Sequence, residues 1–149
     1  MQLLDPTFFR LACAFAFVAV SCGVFGHAFK SRFSSTNDAA TWETGVSYAL
    51  YHIPALIVVA WLRPKTPNRT VRIAGWSFVA GVALFSVSLW VLALSRVNAI
   101  GSATPVGGAL LMIGWLALLF TPLAAPSSPL RNASENGAVA GDARYLQMQ

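Results

Sequence analysis

Four long apolar runs divide the chain, and short polar stretches separate them. The first extends from about Pro6 to Phe29, with Asp5 placed as an N-cap and Pro6 at the first helical position. The second covers about 39–62, opened by Asn37-Asp38 and stopped by Pro64. The third covers about 71–95. The fourth begins at Thr104-Pro105, again an N-cap followed by proline, and ends near Pro122. Each run has roughly 18–25 residues, enough to cross a ~30 Å hydrocarbon core at ~1.5 Å per residue. The links between them are short, which forces neighbouring helices to be antiparallel. The pattern therefore predicts an all-α protein, an integral membrane four-helix up-and-down bundle over 1–125. The stretch 126–149 is polar, rich in Gly, Ser, Asn and Ala, and reads as a disordered tail.

Composition agrees with a bilayer as solvent. Of 149 residues, 10% are charged and 56% hydrophobic, against about 25% charged in an average soluble domain. So few polar side chains do not cover a soluble particle of this size. The net charge of +5 comes from single basic residues beside the apolar runs. Their expected partner is the phosphate face of the membrane, and no nucleic acid is implied. Arg63, Lys65, Arg69 and Arg72 fill the middle link, and Arg10, Arg131 and Arg144 fall on the same side. The opposite side has Lys30, Arg32 and Arg96. The positive-inside rule then places both termini on the cytoplasmic side of a bacterial inner membrane, or on the matrix side of a mitochondrial one. The first run lacks a basic n-region, so it reads as a retained span and not as a cleaved signal.

Helices in lipid associate through small residues. Ala12, Ala16, Ala19, Gly23 and Gly26 recur at four- and three-residue steps and form one face of the first span. Ser77, Gly81 and Ser88 in the third span, and Gly107, Gly108 and Gly114 in the fourth, are further packing positions. Trp42, Trp61, Trp76 and Trp90 fall near span ends, where an aromatic belt is expected. Trp115 lies deeper.

The candidate polar site inside the membrane comprises His52, Tyr48, Thr44, Pro54, His27 and Glu43. Thr44, Tyr48 and His52 are four apart and share a helix face. Pro54 lacks an N–H, so it leaves the Leu50 carbonyl without its helical partner, and the His52 imidazole or a water is expected to satisfy it. Glu43, a turn into the second span, is expected to pair with Lys30 or Arg32 from the facing link. His27 and His52 differ in depth by about 15 Å at ~1.5 Å per residue, so they do not form a paired metal or haem site. Cys13 and Cys22 lie about 13 Å apart along one helix, too far for a disulfide. No zinc spacing, phosphate loop or nucleophile elbow is present, and neither a metal nor a cofactor is predicted.

Two stretches carry a family resemblance. The first is Thr44-Gly45-Val46-Ser47-Tyr48-Ala49-Leu50-Tyr51-His52-Ile53-Pro54-Ala55-Leu56. The second is Phe78-Val79-Ala80-Gly81-Val82-Ala83-Leu84-Phe85-Ser86-Val87-Ser88-Leu89-Trp90, continuing through Thr104-Pro105-Val106-Gly107-Gly108 to Gly114-Trp115. Together they resemble the YgdD/YwdK-like small membrane proteins, a family of unknown function in bacteria and eukaryotes. His52, Thr104, Pro105, Gly107 and Gly108 match that pattern directly. Phe25-Gly26-His27 lacks the alanine usual in the family between glycine and histidine, which turns His27 by about 100° on its helix. The resemblance implies the four-helix fold and no reaction.

Three functional readings follow. One is a non-catalytic membrane protein, a structural or accessory subunit of a larger assembly such as an energy-transducing complex, with other membrane subunits or itself as partner. Tyr145, Leu146 and Met148 would be apolar anchors at the end of its tail. The alternative is a small homo-oligomeric transporter or channel with a polar path near His52 and Pro54. A redox or lipid enzyme is the weakest reading, because few ionisable groups lie in the spans.

Overall fold

The computed structural model describes residues 3–28, 33, 35–66, 68–95 and 103–122. They form four helices: α1 (Pro6–Ala28), α2 (Thr36–Leu62), α3 (Arg69–Ser95) and α4 (Ala103–Leu119). The all-α, four-helix expectation holds. The polar tail, with Arg131, Arg144, Tyr145, Leu146 and Met148, lies outside the described residues, as do Lys30, Arg32 and Arg96.

The starts and stops have local causes. Asp5 caps α1, accepting the N–H groups of Thr7 (2.9 Å) and Phe8 (3.4 Å) through Oδ1. Ser35 caps α2 by accepting the Asp38 N–H at 3.2 Å. That helix therefore opens before the expected Asn37-Asp38, because the serine hydroxyl satisfies the amide first. It runs through Pro54 and closes at Leu62, before Pro64. The start of α3 at Arg69 is also two residues earlier than expected, with Asn68 Oδ1 accepting from the Thr70 N–H.

Three helices are long and apolar enough to cross a membrane: α1, α2 and α3. The fourth has 17 residues, shorter than expected, since the chain turns at Phe120 ahead of Pro122. At ~1.5 Å per residue it reaches about 25 Å, the lower limit for a span.

Packing is sequential and antiparallel. The main contacts are α1 on α2, α2 on α3 and α3 on α4. Asp5 N–H donates to the Ala60 carbonyl at 2.8 Å, which joins the start of α1 to the end of α2. At the other end of that pair Trp42 Nε1 donates to the Cys22 carbonyl at 2.9 Å. A buried core of Ala12, Ala19, Leu56, Val59, Val71 and Phe78 runs through the interior.

Glycines set the approach of α4 to α3. A Cβ on Gly107 would fall 2.5 Å from the Phe85 backbone nitrogen, so only glycine fits there. On Gly108 it would meet nothing closer than the Phe85 ring at 3.8 Å. Two adjacent helical residues point about 100° apart, so one of the pair faces α3 and the other does not. Trp42 and Trp90 meet at one end of the bundle. They pack on each other (5.9 Å between centroids) over Gly26 and Gly45, since those glycines leave room for indoles inside the seam.

Candidate functional site

The second span's polar face converges on one imidazole. His52 is 8% exposed, about 24 Å from the start of α2 at ~1.5 Å per residue. Its Nδ1 lies 2.7 Å from the Tyr48 carbonyl. Its Nε2 accepts from the Trp115 indole N–H at 3.3 Å. The indole can only donate, so Nε2 carries no hydrogen and Nδ1 holds the proton it gives to Tyr48. That assigns the Nδ1–H tautomer and leaves neither ring nitrogen free.

This corrects one of the two expected partners of the carbonyl that Pro54 frees. The imidazole does not reach back to the Leu50 carbonyl. It bonds one residue pair earlier, to Tyr48, because the i→i−4 position lies directly beneath a helical side chain. Pro54 itself is exposed on the outer side of α2.

Aromatic rings enclose the imidazole. Tyr48 stacks on it at 6.2 Å and 23°, while the Phe78 ring lies 5.8 Å away. Phe78 meets Trp115 edge-on at 5.3 Å and 75°. Gly114 makes this possible, since a Cβ there would come 2.7 Å from the Phe78 ring. Phe85 closes the cluster against Tyr48 at 4.6 Å. The site thus ties α2, α3 and α4 together. Thr44 shares the face but turns its hydroxyl to the Ala40 carbonyl (2.8 Å).

A second polar contact joins α3 to α4. The Ser88 hydroxyl donates to the Phe85 carbonyl at 2.9 Å and lies 2.8 Å from Thr104 Oγ1. Serine has one hydroxyl proton, so Thr104 is the donor of the pair. Thr104, expected as an N-cap, instead lies inside α4 and serves as an interhelical link.

His27 and Glu43 stand elsewhere. Both line a cleft of about 280 Å³ between the end of α1 and the start of α2, with Gly23, Gly26, Trp42 and Ser47. They are exposed and take no part in the His52 cluster. The expected Glu43 partners, Lys30 and Arg32, lie outside the described residues. Among the described residues no three His, Cys, Asp or Glu side chains gather in a way that could hold a metal ion.

Sequence reasoning missed Trp115 as the partner of His52, and Gly45 and Gly75 as packing positions. Gly75 receives the Phe8 ring and Gly45 receives Trp90. The signal for Trp115 was its depth, which is unusual for a belt tryptophan.

Known proteins place these features in a family. A family model described as a protein of unknown function (DUF423) matches residues 22–108. The chain is 38% identical over 117 residues to a UPF0382 membrane protein of Staphylococcus epidermidis, covering 78% of this chain and 94% of that one. It is 36% identical over 114 residues to the UPF0382 membrane protein YwdK of Bacillus subtilis, covering 75% and 92%. A UPF0382 membrane protein of Staphylococcus aureus is 35% identical over 113 residues, covering 75% and 91%. No solved structure matches the chain. The matched region includes His52, the Ser88–Thr104 link and Gly107, and the chain belongs to the DUF423 family of membrane proteins.

Proposed function

We propose that this small polytopic membrane protein is a non-catalytic structural or accessory subunit of a larger membrane assembly. One observation carries the reading. His52, the most buried ionisable group of the second span, has both ring nitrogens committed to packing partners, Tyr48 and Trp115. A proton relay passes its proton between partners that can both take one up and release it, whereas a backbone carbonyl only accepts and an indole N–H only donates. The polar bond from Trp115 joins α4 to α2, and the Phe78 ring of α3 packs on the same imidazole, which favours a scaffold over a path. The proposed orientation puts the α2–α3 turn, with Arg63 and Lys65, on the cytoplasmic or matrix side.

The subunit reading is tested by crosslinking in native membranes followed by affinity purification and mass spectrometry. Crosslinks from the outward positions Phe17 and Met112 to one stoichiometric partner, or to a second copy, are the expected result. A lone chain with no crosslinked partner contradicts it. Orientation is tested separately with Lys65→Cys in a chain carrying Cys13→Ala and Cys22→Ala. An impermeant maleimide should label inverted vesicles and spare right-side-out ones, and the reverse pattern overturns the assignment.

A further inference from the structure

The basic end of the bundle holds a groove that the packing described above does not use. It lies between α3 and α4, has a volume of about 340 Å³ and is lined by Arg72, Ile73, Trp76, Ser77 and Leu110. Arg72 stands at its mouth, one turn into α3. The walls below it are mainly apolar. From Arg72 to Ser77 the groove descends about 8 Å along the helix at ~1.5 Å per residue. This is a cation above a shallow apolar depression, open to the side where lipid would lie, with Ile73 and Trp76 about half exposed.

The charges around it are unbalanced. Asp5 is the acidic residue at this end among the described residues, and it is engaged by the α1 amides and by Arg63 at 3.9 Å. Lys65 rests over the Trp61 ring at 3.3 Å. Arg69 and Arg72 are both exposed and lie on one side of the first turn of α3. A helix N-terminus carries positive partial charge, so two guanidinium groups there lack the anion that the position favours.

We infer that this groove binds one anionic phospholipid, its phosphate on the Arg72 guanidinium and one acyl chain along Ile73, Trp76 and Leu110. Charge complementarity selects the headgroup, since guanidinium pairs with phosphate in a bidentate fork. The apolar walls select a lipid over a free phosphate. A diffuse attraction of the membrane surface to all the basic residues would be a different state, because it would not depend on one arginine or on the shape of a groove.

The test uses the purified full chain in a neutral detergent. Phosphatidylglycerol and phosphatidylcholine of identical acyl chains are added, and retained lipid is counted by native mass spectrometry. A one-to-one phosphatidylglycerol adduct at least about tenfold above phosphatidylcholine is expected, a difference of ~1.4 kcal/mol. Arg72→Gln should bring it to the phosphatidylcholine level, and Arg10→Gln should leave it within about twofold. Leu110→Trp, which fills the groove and keeps the charge, should also lower it. Far-UV circular dichroism confirms the helix content of each variant. If Arg72→Gln does not fold, the Leu110→Trp and Arg10→Gln comparison decides. Equal retention of the two lipids, equal loss in Arg10→Gln and Arg72→Gln, or an adduct indifferent to Leu110→Trp overturns the assignment. Displacement of the adduct by glycerol phosphate alone also overturns it, because the chain would then contribute nothing.

Discussion

At the scale of single residues, the His52–Trp115 contact carries the strongest expectation. Trp115→Phe keeps the ring and removes the donor, which leaves Nε2 buried without a partner. Interhelical hydrogen bonds in membranes average about 0.6 kcal/mol, so the variant should lose on the order of 1 kcal/mol. His52→Ala also leaves a cavity among Tyr48, Phe78 and Trp115, and should lose about 2–3 kcal/mol. Thermal unfolding in detergent, followed by near-UV circular dichroism of the aromatic cluster, measures both. Unchanged stability in His52→Ala would show that the histidine is not a packing element. The importance of His52 was legible because a polar residue inside an apolar run is costly unless partnered. Trp115 was not legible as that partner. Periodicity assigns a residue to a face of its own helix, but does not say which face of another helix lies opposite. The 63 residues between the two carry no spacing rule. The Glu43 site was legible only as a polar position, since its expected partners lie beyond the described residues.

At the scale of helices, the glycines of α4 give a paired expectation. Gly107→Ala puts a methyl group against the Phe85 backbone, which cannot rotate away as a side chain can. Overpacking of this kind costs about 1–3 kcal/mol. Gly108→Ala meets only ordinary contact at 3.8 Å, and the gain in helix propensity should leave stability equal or up to about 1 kcal/mol higher. Both are read as midpoint shifts in detergent, and identical shifts would contradict the packing of α3 on α4. Helix boundaries were largely legible because capping residues and prolines mark them locally. Asp5 and Pro64 act where local chemistry puts them, while Ser35 and Asn68 start α2 and α3 ahead of the expected positions. The small-residue stripe of α1 was legible for the same reason: Ala12 and Ala19 are fully buried, as a periodic stripe requires. Gly45 and Gly75 escaped notice because each is a single glycine whose role depends on a bulky ring from another helix. The adjacent pair Gly107-Gly108 was over-read, since composition does not distinguish two neighbours that point in different directions.

At the scale of the whole molecule, several polar groups of the spans join one helix to another, while the buried Ser86 Oγ and Trp90 Nε1 have no hydrogen-bond partner among the described residues. His52 binds α4 to α2, Ser88 and Thr104 bind α3 to α4, and Trp42 binds α2 to α1. Apolar side chains cover the outer faces of α1 and α4, including Phe17, Val24, Met112 and Leu119. Those faces suit either lipid or another membrane helix, and the subunit reading assigns part of them to a partner. The mass of the native particle tests that assignment most directly. Membranes from the source cell are solubilised in a mild detergent, and the particle carrying this chain is sized by native electrophoresis and by light scattering corrected for bound detergent. The account predicts a discrete assembly well above the 15.9 kDa of one chain, with fixed stoichiometry. A particle containing a single copy of this chain and only detergent and lipid would contradict it.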